Sequence, residues 1–286
     1  MAQQVESGTV RHQTTGRCTT NGEGPFTLVQ AGYAVIAPDY ASLGSDIPQG
    51  FVYEASFLHA ANAGCGLITA RKILGSVLSE DWVVIGHSEG GMTAWRTNER
   101  LAMANQTVLL KAGTFLCAVA GARALRPLDL IAESLRRAAG GPVGDVVSIY
   151  FQQSLASLFP DQIRVEDHFS DVVMGRLGLA DSSCLITRSI LFQNLTQEQL
   201  YKNMSWLTHP VIVDWQTRYN GAGPYSLAAP MLVAQGTRDI FVYANNTERN
   251  LNLACSSFPA SKAQLKLYPN LNHYVSFEVA SVDYLA

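Results

Sequence analysis

Five stretches of the chain are dense in apolar and β-branched residues and short enough to be buried strands: Gly32–Tyr40, Trp82–Ile85, Thr114–Ala120, Pro230–Gly236 and Gln264–Tyr268. Between them, Glu54–Leu74, Ser88–Ala104 and Tyr243–Ala254 carry apolar residues at helical spacing. A strand that reaches its neighbour through a helix runs parallel to it, because a parallel pair needs a long crossover. From Gly121 the rhythm changes. Leu125–Ala139, Val146–Leu158, Ile163–Leu177 and Gln197–Trp206 read as short helices with polar breaks, without strand alternation. The pattern predicts an α/β fold with a mainly parallel sheet flanked by helices. Residues 1–121 and 224–286 form its core, and 122–223 form a helical cap insertion or, alternatively, a separate helical domain.

Composition narrows the classes of partner. At 286 residues, one large domain with an insertion is expected. Hydrophobic residues make up 48% and charged residues 15%, and the net charge of -3 offers nothing to nucleic acid. Neutral or apolar substrates fit better. No apolar run reaches the ~18 residues of a membrane span. Met1–Ser7 lacks the basic start and apolar stretch of a signal peptide, which read alone points to the cytoplasm. Four Asn-x-Ser/Thr acceptors (Asn105, Asn194, Asn203, Asn245) and five cysteines lean towards secretion. Cys65 and Cys117 lie in apolar segments and read as buried thiols; Cys18, Cys184 and Cys255 are the disulfide candidates.

Candidate chemistry centres on Gly86-His87-Ser88-Glu89-Gly90-Gly91, which follows a β-branched strand and opens a helix. That is the context of a nucleophile elbow, a sharp strand-to-helix turn that exposes a serine hydroxyl. A Cβ at Gly86 or Gly90 is expected to crowd the neighbouring backbone. The Glu89 N–H then faces an incoming carbonyl oxygen, and the helix dipole favours the charge developing there. A serine needs a histidine to take its proton, and the histidine needs a carboxylate to set its tautomer. In the order serine, acid, histidine, the candidates are Asp239 after one late strand and His273 after the last. Both fall at carboxyl ends of strands, where open α/β sheets place ligands. Asp214 lies in the insertion and reads as a solvent-facing or capping residue, His168 and His209 also fall in the insertion, and His87 reads as a packing residue. A second oxyanion donor comes from the backbone at Gln13 or Thr14. The histidines show no metal-ligand spacing and no dinucleotide or P-loop fingerprint appears, so no cofactor is expected.

Gly32–Tyr40 with Leu43-Gly44, the Ser88 hexapeptide, Gln235–Asp239 and Tyr268–His273 together resemble the fungal and actinobacterial secretory lipases, the lipase A type of α/β-hydrolase. The resemblance implies a helical cap between the sixth and seventh strands and hydrolysis of carboxylic esters, from triacylglycerols to acetylated metabolites. It implies secretion for a full-length member, a small apolar ester or lipid as partner, and transient contact with a lipid interface. Two departures stand out. The family's His-Gly-Thr motif reads His12-Gln13-Thr14 here, and the segment that supplies the first three strands is missing. The expectation is a truncated chain, with Ser7–His12 filling the third-strand slot as the alternative. The functional expectation is a serine ester hydrolase acting through an acyl-enzyme. An acyltransferase or serine peptidase would use the same residues, and an inactive or ligand-binding protein is the non-catalytic alternative.

Overall fold

The computed structural model describes residues 23–43, 45, 47–143, 147–221 and 224–286. In chain order the elements are α1 (Glu23–Gln30), α2 (Ser56–Leu74), β1 (Asp81–His87), α3 (Glu89–Ala102), β2 (Thr114–Gly121), α4 (Pro127–Ala138) and α5 (Val147–Leu158). There follow α6 (Val165–His168), α7 (Asp171–Asp181), α8 (Leu185–Phe192), α9 (Gln197–Leu200) and α10 (Pro210–Trp215). The chain closes with β3 (Met231–Gly236), α11 (Ala244–Ser257), β4 (Ala263–Tyr268), α12 (Val275–Val279) and α13 (Ser281–Tyr284). Two compact units result, one comprising residues 23–38, Glu54–Leu130 and Gln216–Ala286, the other Asp39–Tyr53 and Ile131–Trp215.

The first unit holds a sheet of order β1-β2-β3-β4, parallel throughout among the described residues. Ile85 pairs with Val119, Ala120 with Val233, and Val233 with Leu265. Between Trp82 and Val83 the register slips past Leu116, a bulge near the amino end of β1. Met92 and Trp95 of α3 and Leu251 and Ala254 of α11 pack in one core with Ala118, Ala120, Met231 and Val233. Each large side chain buried here contributes about 1.5–3 kcal/mol. Ala234, Tyr268 and Ala280 form a second cluster.

The apolar run Gly32–Tyr40 is not a strand. Residues 33–39 are irregular, with Tyr33 49% and Val35 38% exposed. β propensity needs a ladder to act on, and no strand among the described residues pairs with this run.

The second unit is helical. Ile149, Phe151, Leu155, Ile163, Phe169 and Trp206 are buried, and the Phe151 ring meets Trp215 edge-on at 5.2 Å. The expected helix Ile163–Leu177 breaks after His168, because Ser170 caps α7 by accepting the Val173 N–H at 3.2 Å. The expected helix Gln197–Trp206 stops at Leu200, and Thr196 with Gln199 forms a capping box at its start. Cys65 is exposed on α2 rather than buried, and no disulfide joins Cys65, Cys117, Cys184 or Cys255. Cys18 lies outside the described residues.

Candidate active site

Ser88 sits between β1 and α3 with φ +57° and ψ -117°. A non-glycine residue there carries backbone strain of order 1–3 kcal/mol, which the surroundings must hold in place. They do so through three backbone bonds. Ser88 N–H donates to the Gly121 carbonyl at 2.9 Å, and the Ser88 carbonyl accepts from Met92 at 3.0 Å and Ala124 at 3.4 Å. Glu89 is the first helical residue, so its N–H has no intrahelical acceptor. A methyl at Gly86 would overlap the Gly90 carbonyl, as expected. Gly90 is different: nothing lies within 4 Å of where its Cβ would be. The second tight position is Gly91, whose Cβ would overlap the Gly121 carbonyl at the end of β2.

Asp239 follows β3 and His273 follows β4, and their side chains are only 4% and 5% exposed as residues. Asp239 Oδ2 lies 2.7 Å from His273 Nδ1. A carboxylate only accepts, so Nδ1 carries a hydrogen, and in the neutral ring the lone pair is on Nε2. Asp239 Oδ1 accepts the backbone N–H groups of Phe241 at 2.9 Å and Val242 at 2.8 Å. Gln235 Nε2 donates to Asp239 Oδ2 at 3.1 Å and to the Val242 carbonyl at 2.9 Å, while its Oε1 accepts from Thr247 Oγ1 at 2.9 Å. The sequence pattern assigns no role to Gln235 beyond its place in the Gln235–Asp239 stretch. Its only signal was a polar side chain in an otherwise apolar buried strand, where a hydrogen-bonding task is required.

His273 is ringed by aromatic groups: Phe241 at 5.2 Å, Tyr274 at 5.1 Å and His87 at 4.5 Å between ring centroids. The reading of His87 as packing alone is incomplete, because its Nε2 also lies 2.7 Å from the His273 carbonyl oxygen. Burial, reinforced by the neighbouring His273, pushes His87 down to about 4, so it is neutral near pH 7. Beside the serine, burial pushes the Glu89 carboxyl up to about 8, offset in part by the Glu54 N–H that it accepts at 3.1 Å.

The structure thus joins Asp239 to His273 directly, and joins His273 to Ser88 through the adjoining His87. Ser88 and His273 share no hydrogen bond among the described residues. Gln13 and Thr14, expected to supply the second oxyanion donor, lie outside the described residues. Asp214, at the end of α10, is exposed, and His168 and His209 belong to the helical unit. No cluster of three or more His, Cys, Asp or Glu side chains that could hold a metal ion occurs among the described residues. Within the same limits, no helix is long and apolar enough to cross a membrane.

Residues 24–281 match the sequence model of the alpha/beta hydrolase family. The chain belongs to this family. Its fold is the alpha/beta hydrolase fold, a parallel sheet flanked by helices. Among solved structures, a Legionella pneumophila protein described as a hydrolase superposes with a TM-score of 0.71 at 16% identity, covering 93% of this chain and 74% of that one. Candida antarctica lipase A in its closed state gives 0.64 at 13% identity, covering 82% of this chain and 55% of the lipase. The rice cell wall degrading esterase LipA of Xanthomonas oryzae gives 0.61 at 15% identity, covering 82% and 64%. This chain therefore spans little more than half the length of the Candida lipase. No curated protein sequence matches it.

Proposed function

We propose that this alpha/beta hydrolase cleaves carboxylic esters in the manner of a lipase A type enzyme. Ser88 Oγ attacks the ester carbonyl, His273 Nε2 takes the serine proton and returns it to the leaving alcohol, and Asp239 holds His273 in the Nδ1–H tautomer. The Glu89 N–H stabilises the developing oxyanion, with the backbone at Gln13 as the second donor. Water, activated by the same histidine, then cleaves the acyl-enzyme.

The observation that carries this reading is the buried 2.7 Å Asp239–His273 pair, set at the same strand ends as a serine at φ +57°. A buried carboxylate bonded to an imidazole, beside a strained serine at a helix start, has the parts of an acyl-transfer site. The lipase and esterase among the solved structures support the ester class. The helical interval within 122–223 is proposed as the cap that selects the acyl group, and an apolar ester or lipid presented at an interface as the substrate.

The test is a fluorophosphonate probe together with p-nitrophenyl butyrate hydrolysis. Ser88→Ala is expected to lose labelling and at least ~10³-fold in kcat, as other hydrolases lose on removal of the nucleophile. Equal labelling of wild type and variant would overturn the reading.

A further inference from the structure

We propose that His87 is a positioning residue for His273, tying the serine elbow to the histidine loop across the full width of the sheet. Ser88 follows β1 and His273 follows β4, and these are the two edges of the described sheet, with β2 and β3 between them. No backbone ladder therefore links the two ends. His87 provides a link: it is covalently next to Ser88, and its Nε2 lies 2.7 Å from the backbone carbonyl oxygen of His273, 186 positions away.

The chemistry of this contact settles its direction. A carbonyl oxygen can only accept, so His87 Nε2 carries a hydrogen, and in the neutral ring Nδ1 carries none. Shape holds the ring in place. It stacks on Phe277 of α12 at 5.1 Å and 26°, leans on Tyr274 at 5.8 Å, and faces His273 at 4.5 Å and 52°. The charged and titratable groups facing it are His273, Tyr274 and, behind His273, Asp239. A neutral His87 adds no like charge beside His273 when that ring takes a proton.

Packing alone would need an apolar ring of this size and no more. The bond to the carbonyl goes further, because it fixes the backbone from which the His273 ring projects. Misplacing a general base by about 1 Å can cost on the order of 100-fold in rate.

The kinetic arm of the test rests on the ester hydrolase reading. His87→Leu is expected to lower kcat on p-nitrophenyl butyrate by about 10- to 100-fold with KM within about 2-fold. His87→Gln, whose amide can reach the same carbonyl, is expected to recover to within about 3-fold of wild type. A His87→Leu enzyme at wild-type kcat overturns the proposal, as does a glutamine variant no better than leucine. A second measurement needs neither activity nor a folded variant: ¹⁵N spectra of imidazole-labelled wild-type protein should show His87 neutral and protonated at Nε2 from pH 5 to 8. An Nδ1–H tautomer overturns the proposal. Should Ser88→Ala hydrolyse the ester as fast as wild type, the ester hydrolase reading fails by itself, and the tautomer still decides the role of His87.

Discussion

Ser88 owes its strained backbone to the glycines around it, and those glycines are not equivalent. The five-residue pattern suggests that Gly86 and Gly90, two positions either side of the serine, do the same work. Only Gly86 meets backbone within reach of a Cβ; the other contact is made by Gly91, against the Gly121 carbonyl. Gly91→Ala and Gly86→Ala are therefore expected to lower stability by about 2 kcal/mol or more through overlap with rigid backbone. Gly90→Ala should be neutral or stabilising by up to ~1 kcal/mol, since alanine suits the first turn of α3 better than glycine. Urea midpoints of the three variants check this ranking, and a Gly90 variant as unstable as the Gly91 one would refute it. Ser88, Asp239 and His273 were legible as candidates because the proposed chemistry demands those side chains in that chain order. Gly91 and Gln235 were not, because their tasks are set by neighbours distant in the chain: the end of β2 for the first, and Asp239 and Thr247 for the second.

Helix α3 shows how an element can be buried without looking apolar. Arg96 and Glu99 are both buried and meet at 2.7 Å, Trp95 Nε1 donates to Glu99 at 2.5 Å, and the Arg96 guanidinium lies 4.3 Å from the Tyr225 ring centroid. Burial still outweighs these partners and pushes Glu99 up to about 7. Glu89, at the start of the helix, is raised to about 8 with the Glu54 N–H and His59 Nδ1, 3.6 Å away, around its carboxyl. A carboxyl whose folded pKa exceeds its unfolded value binds more protons when folded, so stability declines as pH rises from the unfolded pKa to the folded one. For Glu89 that window runs from about 4.5 to about 8. The urea midpoint of wild type should fall across it, and Glu89→Gln should fall less, with Glu99 leaving a residual slope. A variant with an unchanged slope would remove Glu89 as the source. At this scale the strands β1 to β4 and the helices α3 and α11 follow the hydrophobic pattern closely. Residues 33–39 depart from it, because an apolar run becomes a strand only beside another strand.

In the sheet unit as a whole, the carboxyl ends of the strands meet the loops that carry the chemistry at very short range. A Cβ at Gly236, the last residue of β3, would overlap the Leu271 carbonyl and sit 2.9 Å from that of Asn272, immediately before His273. Gly236→Ala should therefore push the His273 loop away from Asp239. We expect kcat to fall by about 10- to 100-fold, a larger loss than any accompanying change in KM. Unchanged kcat in a folded variant would show that the loop accommodates the methyl without moving His273. Gly121 makes a similar approach to the Phe277 ring of α12, so that helix lies against both the end of β2 and His87.

By itself the sequence determined the α/β class, the parallel crossovers and the serine elbow, and it singled out Asp239 and His273, which the structure brings within 2.7 Å of each other. These follow from local periodicity and from chemistry that admits few residue types. Only the tertiary structure decided which glycines of the elbow meet rigid backbone, that Gln235 bonds Asp239, and that His87 reaches from one edge strand to the loop beyond the other. Those facts depend on which backbone groups come within a few ångströms of one another after the sheet has assembled. Local pattern carries no information about such distances.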